Sequence, residues 1–447
     1  MKLLAKVRRV IAVSFCEDCA QTLKRQALTA AVVRIFAAAL SFGLMAVVAR
    51  SVTVDDFGDF SVLLALVNIA VVFALLGHET LATRNIGAIS FCSTENGEKV
   101  CQYVRKISRD ALCLGVFFAG LVAIFPINPV SDSAESEILG SLVLLIPAIA
   151  LIRINQGLIR GAHQPVRALL PDGIVRPGCA LLLFQVFLYL GCEAKLSLSA
   201  AMLISALAAI LLSYVYSHSA LAILFRCLPK DNCRPDTEPE LRYFSSAIFC
   251  SSIVAVMASQ VGLVLLGELA DATEAASYSV AQRYSIATSL IAQGVYQAVS
   301  SRIAAKYSSG DLNELQILTG RICRFATAGS LLCAFGIALG SAPLLGLFGD
   351  EYRNAATVLY VLLLGIVVNV AAGPVGILLL MTGNEDKHLS SLVISLVVQV
   401  LMLVLLVQKF GALGAAFSAL VSTIIWNSIM AVHVQRSLGF RLVLLFA

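Results

Sequence analysis

The sequence predicts an all-α polytopic membrane protein, with about twelve transmembrane helices in two six-helix bundles. Three observations carry that prediction. Twelve apolar stretches follow one another along the 447 residues. The composition is 59% hydrophobic and only 13% charged, well outside the range of soluble domains. Lysines and arginines fall almost entirely into alternate gaps between the stretches.

A helix needs about 20 apolar residues to cross roughly 30 Å of hydrocarbon. Such stretches run at 28–49, 60–77, 111–129, 138–159, 168–190 and 198–225, then at 244–267, 276–299, 325–347, 355–381, 389–408 and 412–434. The stretch 276–299 is the most polar, with Ser277, Ser279, Gln282, Arg283, Gln293 and Gln297. Such a helix must turn a face toward protein or water, because lipid offers its side chains no partners.

Of the 32 basic residues, 25 lie in one set of gaps and only Arg50, Lys195, Arg353 and Lys409 in the other. Over short loops this is a strong positive-inside pattern, so both termini are expected in the cytoplasm of a multi-pass protein. The opposite loops carry acids: Asp55, Asp56, Glu135, Glu137, Glu268, Asp271, Asp350 and Glu351. The formal charge of +5 is accounted for by the cytoplasmic loops and gives no sign of nucleic-acid binding. The apolar run near Val10–Phe15 stops at Glu17 and Asp18, too short for a cleavable signal peptide.

The expected organisation is a basic cytoplasmic tail at 1–27, a six-helix bundle at 28–225, a cytoplasmic linker at 226–242 and a second bundle at 243–447. Pro229, Pro235 and Pro239 with mixed charges give the linker its character. The halves read alike. In the first, an apolar helix is followed by Asp55-Asp56 and then Phe60-Ser61-Val62. In the second, an apolar helix is followed by Asp271 and Glu274 and then Tyr278-Ser279-Val280. Repeated halves are typical of secondary transporters, whose substrate site lies between them.

Of the twelve cysteines, Cys16, Cys19, Cys92, Cys101, Cys227, Cys233 and Cys323 are assigned to the reducing side, which argues against a disulfide framework. Cys16 and Cys19 have metal-ligand spacing, and Cys227 with Cys233 would supply two more thiolates. Free thiols in a tail and a linker are the simpler reading, so neither metal nor cofactor is expected. The longest gap, 78–110, holds His78 and Glu79 but no convergent catalytic set, and no Gly-x-x-x-x-Gly-Lys-Ser/Thr sequence occurs. An enzyme is not expected.

Several short motifs point to a family. Ala49-Arg50 followed in register by Phe57-Gly58 is similar to an Ala-Arg-x-Leu-Gly-Pro-Glu-x-Phe-Gly signature. Leu158-Ile159-Arg160-Gly161, Val175-Arg176-Pro177 and Tyr278-Ser279-Val280-Ala281 add to it. Over essentially its whole length the chain resembles the polysaccharide (O-antigen type) flippases of the multidrug/oligosaccharidyl-lipid/polysaccharide exporter superfamily. It departs from the signature with Val52-Thr53-Val54 where Leu-Gly-Pro is usual and Asp55 where Glu is usual.

The resemblance implies translocation of an undecaprenyl-pyrophosphate-linked oligosaccharide from the inner to the outer leaflet of a bacterial inner membrane. Further partners would be membrane lipids, a polysaccharide polymerase and chain-length machinery. An ion-coupled multidrug exporter of the same superfamily is the alternative, favoured by intramembrane acids as cationic residues favour an anionic substrate. Arginine suits pyrophosphate because its planar fork donates two bonds and stays charged.

Arg34, Arg176 and Arg283 fall inside stretches. Each costs about 2.5–3.5 kcal/mol at mid-membrane and so is expected to face a cavity or a partner. Arg34 and Arg283 are the leading candidates for headgroup contact, on helices that would border the cleft if the resemblance holds; Arg34 would otherwise snorkel to the surface. Arg153 and Arg160, sharing a helix face with Gln156, would receive the headgroup at the mouth or serve only as topogenic charges. Gln260, Gln293 and Gln297 suit sugar hydroxyls or interhelical hydrogen bonds. Glu79 and Asp172 are the acids available for ion coupling, unless Asp172 simply pairs with Arg176.

Overall fold

In a computed structural model the described residues are almost entirely helical, with no strand among them. They are 33–89, 97–124, 141–227, 246–308 and 312–439, except positions 163 and 383, together with residue 29. The helices are α1 (Val33–Ser51), α2 (Val54–Leu75), α3 (His78–Ile89), α4 (Gly97–Ile124) and α5 (Leu145–Gly161). A π turn, Pro171–Val175, joins α6 (Pro165–Leu170) to α7 (Arg176–Tyr189), and α8 (Ala194–Cys227) comes after them. Next come α9 (Ser246–Leu269), α10 (Ala272–Ser308), α11 (Leu312–Leu339) and α12 (Ser341–Gly346). The last are α13 (Ala356–Ala371), α14 (Val375–Met381) and α15 (Glu385–Leu438).

Ten described helical segments are long and apolar enough to cross a membrane, so the chain is a multi-pass membrane protein. The sequence reads twelve stretches, and the difference arises in two places. The 54 residues of α15 would extend about 80 Å, far beyond one bilayer. Gly411 breaks that helix at φ +52° and ψ −132°. The Glu274 carboxylate accepts a 2.6 Å hydrogen bond from the Ala412 amide, capping the helix that restarts there. The other place is α10, 37 residues long but too polar to be counted.

The 78–110 gap, expected to be a loop, is helical at both ends in α3 and α4. Val100, Tyr103, Ile107 and Ala111 are all buried at helical spacing, an amphipathic stripe hidden among charged residues. The tail at 1–27 lies outside the described residues, as does almost all of the 226–242 connection. Cys16, Cys19 and Cys233 lie outside them too, as does the side chain of Cys227. Cys113 and Cys250 are exposed on helix surfaces.

Helices α2, α4, α5 and α8 pack on one another, with α3 and α7 alongside, while α9 to α15 form a second packed set. The two sets meet chiefly where α2 lies against α9 and α10. The approach is close. A methyl group on Gly58 would sit 1.9 Å from the Ala272 carbonyl oxygen, and one on Gly267 would sit 2.6 Å from the Val62 side chain. The Ser61 and Ser279 hydroxyls hydrogen-bond at 3.0 Å, so the two aromatic-Ser-Val steps touch each other.

At the end carrying Asp55, Asp271 and Asp350, the acidic end of the molecule, further contacts join the two sets. Phe42 packs edge-on against Tyr284 and Phe348 with ring centroids 4.8 and 5.0 Å away, and Phe57 packs on Tyr352. Arg50 Nη2 donates to the Gly346 carbonyl at 3.0 Å. At the opposite, basic end, Phe73 of α2 meets Phe249 of α9.

Overpacking a tight helix contact costs about 1–3 kcal/mol. Gly58→Ala should therefore lower the thermal unfolding midpoint of the purified full-length protein. Gly43→Ala, with nothing within 4 Å of the added methyl, should leave it unchanged or slightly raised. Equal midpoints for Gly58→Ala and the wild type would show that the helices are not in contact there.

Candidate functional site

Between α1, α2, α7, α9 and α10 lies a cavity of about 250 Å³. Helix α1 contributes Ser41, Leu44 and Met45, and α2 contributes Ser61, Ala65 and Asn68. Two cations face it from distant parts of the chain, Arg176 at the start of α7 and Arg283 in α10. Gln260, Ser279 and Gln282 line it as well, and no acid is among its described lining residues. Gln282 Nε2 donates to the Ser259 carbonyl at 3.0 Å, tying α10 to α9 at the wall.

The backbone explains how Arg176 reaches the cavity. Pro171 opens the π turn because it lacks an amide hydrogen to continue the regular ladder. A π turn rotates the facing of the residues beyond it by a fraction of a turn, and such turns are frequent at functional sites. Arg176 and Asp172 both stand on this feature. The Arg176 Nε donates to Asp172 Oδ1 at 2.7 Å, with both side chains about three-quarters shielded. Gln156 and the charge of Arg153, on α5, also act on that carboxylate.

Arg283 differs. Its Nε is buried and has no hydrogen-bond partner among the described residues. A buried donor left unmade is expensive, and Arg160 Nε shares this condition, but Arg283 has no acid beside it among the described lining residues.

Arg34 lies on α1 about two turns toward the basic end from Ser41 and is not among the lining residues, so Arg176, not Arg34, lines the cavity together with Arg283. Arg160, at the end of α5, is ion-paired with Glu79 at 2.5 Å and donates to Gln156 at 3.3 Å. Glu79 and Asp172, expected as ion-coupling candidates, are thus both counter-ions of arginines. Gln260 lines the cavity, whereas Gln293 hydrogen-bonds Ser289 Oγ within its own helix at 2.8 Å. The Gln297 side chain lies outside the described residues. Sequence reasoning missed Ser41 and Asn68 as lining residues and named Gln282 only as part of a polar stretch. Single small polar residues within apolar helices were the signal, and they are too common to single out alone.

The fold is that of membrane transporters of the MOP superfamily. The structure is similar to the lipid II flippase MurJ in an inward closed conformation, at TM-score 0.68 and 15% identity, covering 91% of this chain and 87% of that one. It is also similar to an inward-facing multidrug resistance MATE family transporter of the MOP superfamily, at TM-score 0.67 and 14% identity, covering 92% and 98%. A third similar structure is a MOP superfamily transporter from Pyrococcus furiosus, described as having a binding pocket of reverse polarity that suggests a different function. It gives TM-score 0.65 and 14% identity, covering 93% and 95%. No curated protein sequence matches the chain. A family model described as polysaccharide biosynthesis protein matches residues 23–304, well over half of the 447, and the chain belongs to that polysaccharide biosynthesis family.

Proposed function

We propose that this chain is a flippase for an undecaprenyl-pyrophosphate-linked oligosaccharide, carrying it from the inner to the outer leaflet by alternating access during surface polysaccharide biosynthesis. The observation that supports it most is the pair of arginines, Arg176 and Arg283, brought from opposite parts of the chain to one cavity with no acid among its described lining residues. A pyrophosphate carries two negative charges and many acceptor oxygens, and two guanidinium forks match it. Ser41, Asn68, Gln260 and Gln282 offer uncharged donors and acceptors for sugar hydroxyls, while the lipid tail stays in the bilayer. On this reading Arg34, Arg153 and Arg160, toward the basic end, attract the headgroup before it reaches the cavity.

The two packed sets of helices are read as six-helix bundles, 28–225 and 243–447, joined by a cytoplasmic linker at 226–242. The contacts near Phe42, Phe57 and Gly58 would close the acidic end, taken as the outer end, so the cavity would open toward the cytoplasm. Moving two negative charges outward across roughly 100 mV is favoured by about 4–5 kcal/mol, which would drive export without hydrolysis. Glu79 and Asp172, each committed to an arginine, are not used as ion carriers. A polymerase and chain-length machinery would take up the exported unit. An ion-coupled multidrug exporter fits less well, because a cationic drug would need acids where the cavity presents arginines.

Two outcomes test this reading. Arg176→Ala and Arg283→Ala should each abolish or sharply reduce surface glycan at normal protein level. A lost charge-assisted hydrogen bond is worth about 1.5–3 kcal/mol, or about one to two orders of magnitude in headgroup binding. Lys at either position should rescue only partly. Arg167, exposed and bonded to Gln164, should tolerate Ala. If all three alanine variants export alike, the arginines have no part in substrate binding.

Topology is tested separately. In a cysteine-free background, cysteines placed at Ser133 and Thr273 should react with a membrane-impermeant reagent on intact cells, and one at Thr237 should not. Labelling of the Thr237 position from outside would reverse the assigned orientation.

A further inference from the structure

Resting on the anion site proposed above, we infer that Asp172 is a positioning and specificity-determining residue: it holds Arg176 by its Nε and keeps the cavity at one net positive charge. The two arginines of the cavity are not equivalent. Arg283 has no lining acid near it and a buried Nε without a partner among the described residues. Arg176 is neutralised by the carboxylate one turn before it in sequence.

The geometry assigns Asp172 a role from behind. It is not among the lining residues, whereas Arg176 is, so a ligand in the cavity meets the guanidinium and not the carboxylate. The 2.7 Å bond engages Nε, leaving the terminal pair of nitrogens as the edge a phosphate oxygen pair can take end-on. Arg153 and Gln156 of α5 also act on the same carboxylate. The pair straddles the π turn opened by Pro171, so the backbone feature that shifts α7 also sets the spacing of acid and base.

The consequence concerns release. A carrier must bind a phosphate-ester or diphosphate anion firmly enough to admit it and loosely enough to let it go. Of Arg176, Arg283 and Asp172 together, the net charge is one positive unit, carried mainly at Arg283. Removing the acid would double the positive charge facing the anion. A like charge behind the guanidinium, within about 4–6 Å of the anion, changes such an equilibrium by about tenfold or more.

The test uses the full-length protein in detergent, titrated with inorganic pyrophosphate by calorimetry. Asp172→Asn keeps an oxygen to accept from Nε but removes the charge, and should bind pyrophosphate about tenfold tighter than the wild type. Asp172→Ala, which also frees the guanidinium to swing, should bind several-fold weaker than Asp172→Asn. In an Arg176→Ala background, Asp172→Asn should lose most of its gain, an interaction between sites that a merely structural role would not produce. In export assays Asp172→Asn should lower both the half-saturating substrate level and the turnover. Should Asp172→Asn fail to insert, Asp172→Ser takes its place with the same expected direction relative to the wild type.

Unchanged or weaker pyrophosphate binding by a well-folded Asp172→Asn, or an equal gain without Arg176, overturns the inference. If Arg176→Ala and Arg283→Ala abolish binding while Asp172→Asn leaves it unchanged, only the role of Asp172 fails. If neither the wild type nor Asp172→Asn binds pyrophosphate at all, the anion site fails with it.

Discussion

Gly58 sits beneath the Ala272 carbonyl with no room for a single methyl group, and the arrangement of the cavity depends on that approach. Two helix backbones come this close only where one contributes glycine, as at the small-residue contacts of other membrane helices. Once α2 and α10 are locked there, Ser61, one turn along α2, meets Ser279, two turns along α10. Arg283, one further turn along α10, then faces the space that α1, α2 and α7 enclose. A short side chain at one position thus fixes where a charge far away in sequence comes to lie.

That charge is the expensive part of the design. The membrane interior makes an isolated cation costly, and most cations of this chain avoid the cost by lying near helix ends or by pairing. Arg160 has Glu79, Arg176 has Asp172, and Arg353 has Asp350. The polar backbone is handled in the same way where helices break. Pro374 cannot donate to Val370, whose carbonyl accepts from the Gly373 amide at 3.0 Å and also from Tyr296 at 3.1 Å and Thr327 at 3.4 Å. The Cys323 thiol donates to the next carbonyl, Ala371. Among the described residues the Nε of Arg283 is left without a hydrogen bond, as is that of Arg160, but Arg283 also lacks a carboxylate partner.

Much of the fold was legible because a bilayer imposes length and polarity so strictly. The polar character of 276–299 correctly marked the helix that turns a face to the cavity, and the likeness of Phe60-Ser61-Val62 to Tyr278-Ser279-Val280 marked two segments that touch. The helices at 78–89 and 97–110 were hidden, since their stripes of buried residues are interrupted by charges that hydropathy alone weighs as loop. Within the site, Arg176, Arg283 and Gln260 were visible as polar residues inside spans. Choosing Arg176 over Arg34 as the partner of Arg283 needed the π turn at Pro171, a backbone feature whose effect on facing no periodicity count contains.

The central claim is that a lipid-linked glycan occupies the cavity between Arg176 and Arg283. The most direct measurement is site-specific photocrosslinking in living cells, with a photoreactive amino acid at Ser41 or Gln260 inside the cavity and at Leu332 on the exposed surface of α11. The account predicts a protein–glycan adduct at the two cavity positions, detected by glycan-specific probes, and little or none at Leu332. Adducts absent from the cavity positions, or equal at all three, would contradict it.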